Sequence, residues 1–160
     1  MTAAARGRAK SRFRSADQSP GFLLWRVSTT WRRSIEAALV PFGLTQPQFV
    51  VLAALRFARD EGIPRSQAAI GRHIGLDPNT TSQILRGLSA RGLVSRERTA
   101  DDRAKQATLS AQAEELLAKA IDAVEAADAA FFAPLATTKP LLAALRTLAE
   151  PTPALQQDVI

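Results

Sequence analysis

Cysteine is absent from all 160 residues. That excludes a disulfide framework, a thiolate metal site and a thiol that senses oxidants. Histidine occurs once, as His73, with no partner set of histidines or clustered carboxylates, so neither a metal site nor a catalytic site is expected. No glycine-rich phosphate loop appears, and Ser28-Thr29-Thr30 has no general base adjacent. No enzymatic activity and no cofactor are therefore expected. No apolar run approaches the roughly 18 residues that span a bilayer, and the N-terminus lacks the apolar core of a signal peptide. A soluble, cytoplasmic protein with no membrane partner is the expectation. Internal repeats are also missing.

The net charge of +6 is unevenly placed. Residues 1–19 carry five basic side chains against Asp17, residues 20–109 carry thirteen against seven acidic, and residues 110–160 carry three against seven. The basic excess lies in an N-terminal arm and in the middle of the chain, which suits a polyanionic partner. An acidic membrane surface would attract the same arm, so sign alone does not choose between them.

The middle of the chain supplies the motif. Ser66-Gln67-Ala68-Ala69-Ile70-Gly71-Arg72-His73-Ile74 predicts a short helix capped by Ser66, with Ile70 and Ile74 on one side and Gly75 as a left-handed stop. Asp77 is a strong N-cap for a second helix, and Pro78 sits where its missing N–H costs nothing. Thr81, Ile84, Leu85 and Leu88 form the buried face of that helix; Asn79, Ser82, Gln83 and Arg86 form the opposite one. The second face has no carboxylate and can hydrogen-bond base edges or phosphates. Two short helices joined by a glycine-containing turn make a helix-turn-helix, whose second helix places its N-terminal residues in the DNA major groove. Pro78, Asn79, Thr80, Ser82, Gln83 and Arg86 are the candidate contacts.

After Gly92, Leu93 to Arg98 predicts a strand and Gln106 to Leu109 its return, around the polar tip Thr99 to Lys105. A hairpin directly after a recognition helix is a wing. Arg96, Arg98, Arg103 and Lys105 make it cationic. A solvated hairpin is the competing reading, and the position after the recognition helix favours DNA.

Leu76-Asp77, Gly87-Leu88-Ser89-Ala90-Arg91-Gly92-Leu93-Val94, Asp101-x-Arg103 and Thr108-Leu109-Ser110 together resemble the MarR family of winged-helix transcription regulators. The resemblance runs from about Gly21 to Glu150. It implies that Arg103 is a wing arginine entering the minor groove, with Asp101 orienting it. It also implies small, often phenolic or anionic, effectors bound between a dimer lobe and the winged lobe. Trp25, Trp31, Arg32 and Phe49 are the candidates for that pocket, although core packing is the first reading for most of these aromatics.

Elsewhere the spacing predicts a helix from Pro20 to Val40, apolar on more than one face and so buried against several neighbours. A capping box at Thr45-Gln46-Pro47-Gln48 opens a second helix running to Ala58, with Leu44 and Phe49 as a hydrophobic staple. Ser110 caps a long helix to Phe132, with Glu114 and Glu115 in its first turn, and a last helix covers Leu141 to Ala149. The apolar stripe from Ala113 to Phe131 reads as a helix-to-helix seam. Leu23, Leu117, Ile121, Val124, Phe131, Leu141 and Leu145 are the expected dimer contacts.

The fold class expected is mainly α with a small β-wing. Residues 1–19 form a disordered basic arm, 45–109 the DNA-binding lobe, 20–43 and 110–150 the dimer lobe, and 151–160 a tail. The expected function is a homodimeric, sequence-specific regulator of transcription, mostly a repressor, on a pseudo-palindrome in double-stranded DNA, relieved by a small aromatic or anionic effector. A non-sequence-specific architectural DNA-binding protein and an interaction module without DNA binding are the alternatives.

Overall fold

The computed structural model describes residues 11–98 and 105–149, with the backbone alone at 96–98 and at 105. The elements follow in the order α1 (Pro20–Leu39), α2 (Gln46–Asp60), α3 (Gln67–Ile74), α4 (Pro78–Ala90), β1 (Val94–Arg98), β2 (Lys105–Leu109), α5 (Ala111–Phe132) and α6 (Lys139–Ala149). Short 3-10 turns at Ala16–Gln18 and Val40–Phe42 flank α1. The first falls within the stretch expected to be a disordered arm, most of which lies outside the described residues.

Five of the six described α-helices start on a side-chain cap: Ser19, Thr45, Ser66, Asp77 and Ser110 each accept from a backbone N–H of the first turn. At Thr45 the box is reciprocal. Thr45 Oγ1 accepts from the Gln48 N–H at 3.4 Å, and Gln48 Oε1 accepts from the Thr45 N–H at 3.0 Å. β1 and β2 pair antiparallel with Val94 opposite Leu109, Arg96 opposite Ala107 and Arg98 opposite Lys105. A third edge joins them just before α3, where the Ala107 N–H donates to Arg65 O at 3.0 Å.

One core runs through the protomer. Ile35 and Leu39 of α1, Val51, Leu52 and Leu55 of α2, Ile70 of α3, Leu85 and Leu88 of α4, and Ala113, Leu117, Ala120 and Val124 of α5 are all buried in it. This corrects two expectations. Leu117, at 0% exposure, and Val124 do not lie at a seam between chains. They fill the protomer's own core, because the buried stripe of α5 is covered by α1 and α2. Ile121 is half-buried against the same cluster. Conversely, the N-terminal half of α1 is not buried against several neighbours: Phe22, Leu23, Leu24, Trp25 and Val27 are exposed, Trp25 at 65%. Only the C-terminal half of α1 turns Ile35 and Leu39 inward. α6 buries no residue, and leaves Leu142, Leu145 and Leu148 exposed.

The approach of α3 to α4 is tight at Gly71. A Cβ there would stand 2.9 Å from Thr81 Oγ1 and 3.2 Å from Leu76 O. Thr81 is fully buried, its hydroxyl donating to Asp77 O at 2.9 Å, so it has no free rotamer to swing away. Gly71→Ala is therefore expected to lower stability by about 1–3 kcal/mol through overpacking, despite the better helix propensity of alanine. Urea denaturation of the two proteins checks it; an unchanged or raised midpoint means that α3 and α4 separate freely.

Candidate nucleic-acid interface

The turn between α3 and α4 is set by Gly75, whose φ of 71° lies in the left-handed region that favours glycine. The Leu76 N–H then donates to Gly71 O at 2.9 Å, closing α3 and turning the chain into α4. Asp77 Oδ1 accepts from the Thr80 N–H at 3.0 Å. Hydrogen bonds from Thr80 hold the Asp77 carboxyl below its ordinary value. Gln67 of α3 reaches across, its Nε2 donating to Pro78 O at 3.1 Å. The N-terminus of α4 is thus tied to α3 from both sides.

With Thr81, Leu85 and Leu88 buried and Ile84 packed half-buried on the core, the opposite face of α4 turns outward. Pro78, Asn79, Gln83 and Arg86 are exposed, and Thr80 and Ser82 are half-buried beside them. Asn79, Gln83 and Arg86 follow at i, i+4 and i+7, one above another along a strip of helix surface free of carboxylates. Arg72 and His73 of α3 are also exposed, His73 stacked on Phe57 with ring centroids 5.4 Å apart. The far end of α4 is clamped by Arg91, whose Nη1 donates to Gly43 O at 2.9 Å and reaches Gln48 Oε1 at 3.5 Å. β1 and β2 leave directly from that end.

A capped, carboxylate-free helix presented beside a two-stranded wing is a surface built for the phosphates and base edges of duplex DNA. Residues 42–104 match the model of the MarR family. The chain is 38% identical over 122 residues to the transcriptional repressor Rv2887 of Mycobacterium tuberculosis, covering 75% of this chain and 85% of that protein. The chain belongs to the MarR family.

Two solved structures extend the likeness. CouR from Rhodococcus jostii RHA1, bound to p-coumaroyl-CoA, superposes with a TM-score of 0.76 at 28% identity, over 88% of this chain and 98% of that one. Rv2887 in complex with DNA gives 0.65 at 33% identity, over 84% and 100%. This MarR-family chain is accordingly a winged helix-turn-helix regulator of transcription. Among its described residues no single helix is long and apolar enough to cross a membrane.

The remaining sequence-predicted residues fall as follows. Asp101 and Arg103 lie outside the described residues, and at Arg96, Arg98 and Lys105 only the backbone register is described. The four residues proposed for an effector pocket are not gathered in one place. Trp31 is half-buried, its Nε1 donating to Asp128 Oδ1 at 2.6 Å. Arg32 is exposed and 4.0 Å from Glu36 along α1. Trp25 stands in solvent, and Phe49 packs half-buried on the core.

Sequence reasoning missed three long-range ties. Arg91 joins α4 to the start of α2; Arg59 joins Asp60 and, across the fold, Glu114 of α5; and Trp31 joins Asp128. Apart from the adjacent Arg59–Asp60 pair, the partners are 48, 55 and 97 positions apart, and no local spacing signals them.

The Asp77 cap carries a pH signature. Its folded value is lowered, so the stabilisation is fully present above the ordinary carboxylate value, about 4, and is lost as pH falls through the lowered one. Asp77→Asn caps the helix without titrating and without the favourable charge at its N-terminus. The wild type is expected to have the higher urea midpoint at neutral pH, and the gap is expected to close on acidification. A gap that stays constant with pH would remove the charge of Asp77 from the stability of α4.

Proposed function

We propose that this chain represses transcription as a homodimer on a pseudo-palindromic operator and is released by a small aromatic or anionic effector. The observation that carries the reading is the outward strip Asn79, Gln83 and Arg86 on a recognition helix tied down at both ends. A rigid polar face can discriminate bases, whereas a loose one only gathers phosphates. That separates the proposal from an architectural, sequence-blind DNA-binding protein.

Two-fold symmetry supplies what one short helix lacks, since a dimer doubles the contacts at a fixed half-site spacing. The exposed apolar half of α1 and the leucines of α6 are the surface that a second copy would cover. Leu23 and Phe131 line one cavity there, and Leu141 and Leu145 another. These four residues are the dimer contacts of the proposal. The effector part of the proposal draws on CouR, which is bound to p-coumaroyl-CoA. A ligand shifts the protein between states only through its differential affinity for them.

Amides suit adenine, so Gln83→Ala is expected to cost about 1–3 kcal/mol on the preferred site and to relax preference at one position per half-site. Arg103→Ala is expected to weaken binding on many sequences and to lower the salt slope by roughly one unit per half-site. Fluorescence anisotropy over a salt series, on operator and scrambled DNA, reads both. Equal weakening on the two DNAs by Gln83→Ala makes that amide an anchor and defeats the assignment.

Leu23→Glu places a charge on the exposed apolar surface without disturbing the core. Sedimentation is expected to show helical, folded monomers at micromolar concentration where the wild type is dimeric. A dimer that survives this substitution puts the interface elsewhere.

A further inference from the structure

Two hollows on the protomer surface share one wall, the side chain of Val27 on α1. On one side of it stand Leu23, Arg26 and Phe131; on the other stand Trp31, Asp128 and Phe132. Of the described residues lining the two hollows, only Arg26 and Asp128 are charged. Neither has an ion-pair partner among the described residues. Arg26 is exposed, its guanidinium 5.8 Å from the centroid of the Phe22 ring. Asp128 is half-buried, and its Oδ1 accepts the Trp31 indole N–H at 2.6 Å. That bond orients the carboxylate, and a carboxylate has about four acceptor positions, so most of its capacity is left for another donor.

This surface is the one that a second copy would cover, and two-fold symmetry restricts how. In such an interface the same patch serves both chains, so that if one residue meets another, the reverse contact forms too. A patch with a cation on one side of a ridge and an anion on the other is complementary to itself. Half a turn about an axis through the ridge carries each charge onto its opposite. Covering Asp128 with apolar side chains alone would strand a half-buried carboxylate, which is costly. An arginine offsets that cost, because its planar donors match a carboxylate while its stem lies along apolar surface. Lys139 and Arg146, the basic residues of α6, line neither hollow.

We infer that in the homodimer Asp128 of each protomer pairs with Arg26 of the partner subunit, the two pairs flanking a two-fold axis near Val27. The pairing rests on the homodimer proposed above and fixes the register in which its two chains meet.

Charge reversal tests it in the full chain, read by sedimentation equilibrium with the wild type alongside. Arg26→Asp and Asp128→Arg are each expected to weaken the dimer at least about tenfold, since each replaces two ion pairs by two like-charge contacts. Mixed in equal amounts, the two variants are expected to form heterodimers, because both contacts then join opposite charges. Both reversals in one chain are expected to restore the homodimer. A neutral cycle uses Arg26→Met and Asp128→Asn, the latter keeping an oxygen for the Trp31 N–H. The neutral double variant is expected to dimerise no more weakly than either single one. A monomeric wild type overturns the homodimer and the pairing together. A dimeric wild type whose reversed variants keep its strength, or fail to recover on mixing, overturns the pairing and leaves the homodimer standing. If a reversed chain does not fold, the neutral cycle decides, and additive losses there overturn the pairing.

Discussion

The contact between Gly71 of α3 and Thr81 of α4 governs what the recognition helix can present. Thr81 spends its hydroxyl on Asp77 O, one turn back in its own helix, and so lies flat against the backbone of α3. Because position 71 has no side chain, Thr81 packs into the space where a Cβ would stand, 2.9 Å from its hydroxyl, and α4 is seated closely on α3 there. Its rotation about its own axis is therefore fixed, and with it the direction of Asn79, Gln83 and Arg86. The Arg91 clamp to Gly43 O fixes the other end against α2. Specific reading of bases needs side chains held to within fractions of an ångström, and this packing holds the helix that carries them.

α5 connects that surface to the rest of the molecule. Its first turn adjoins the wing, where the Ser110 N–H donates to Leu93 O at 3.0 Å and Glu114 pairs with Arg59. Its last turns carry Asp128 and Phe132 to the cavity beside α1 and α6. Twenty-two residues of helix span roughly 33 Å, and the buried stripe through Leu117, Ala120 and Val124 runs along the same core that holds α4. The helix thus belongs to the DNA-binding half and to the half where a second chain would dock. A displacement of its far end has a continuous packed path to the wing.

Much of this was legible locally. Caps at Thr45, Ser66, Asp77 and Ser110, the left-handed glycine at 75, and the split of α4 into a buried and a polar face all arise from contacts within four or five residues, and the fold follows the spacing there. The third edge of the wing at Arg65 and the ties from Arg91, Arg59 and Trp31 were not legible. Each joins groups brought together only by the folded chain, and arginine or aspartate at such positions looks the same as on any solvated face.

The apolar periodicity of α1 and α5 shows the division most plainly. Spacing by three and four residues determined that each helix has a face that must leave water, because burial of that face is what stabilises a helix of ordinary propensity. It did not determine what covers the face. Leu117 and Val124, expected against a partner, belong to the protomer's own core, while Phe22, Trp25 and Val27, expected on buried faces of α1, are exposed on the protomer. The hydrophobic effect is non-directional and depends on area, not on which chain supplies the cover. The sequence by itself therefore determined the elements, their caps and the recognition face, and only the tertiary packing decided which apolar surface is spent inside the protomer and which is left outside it.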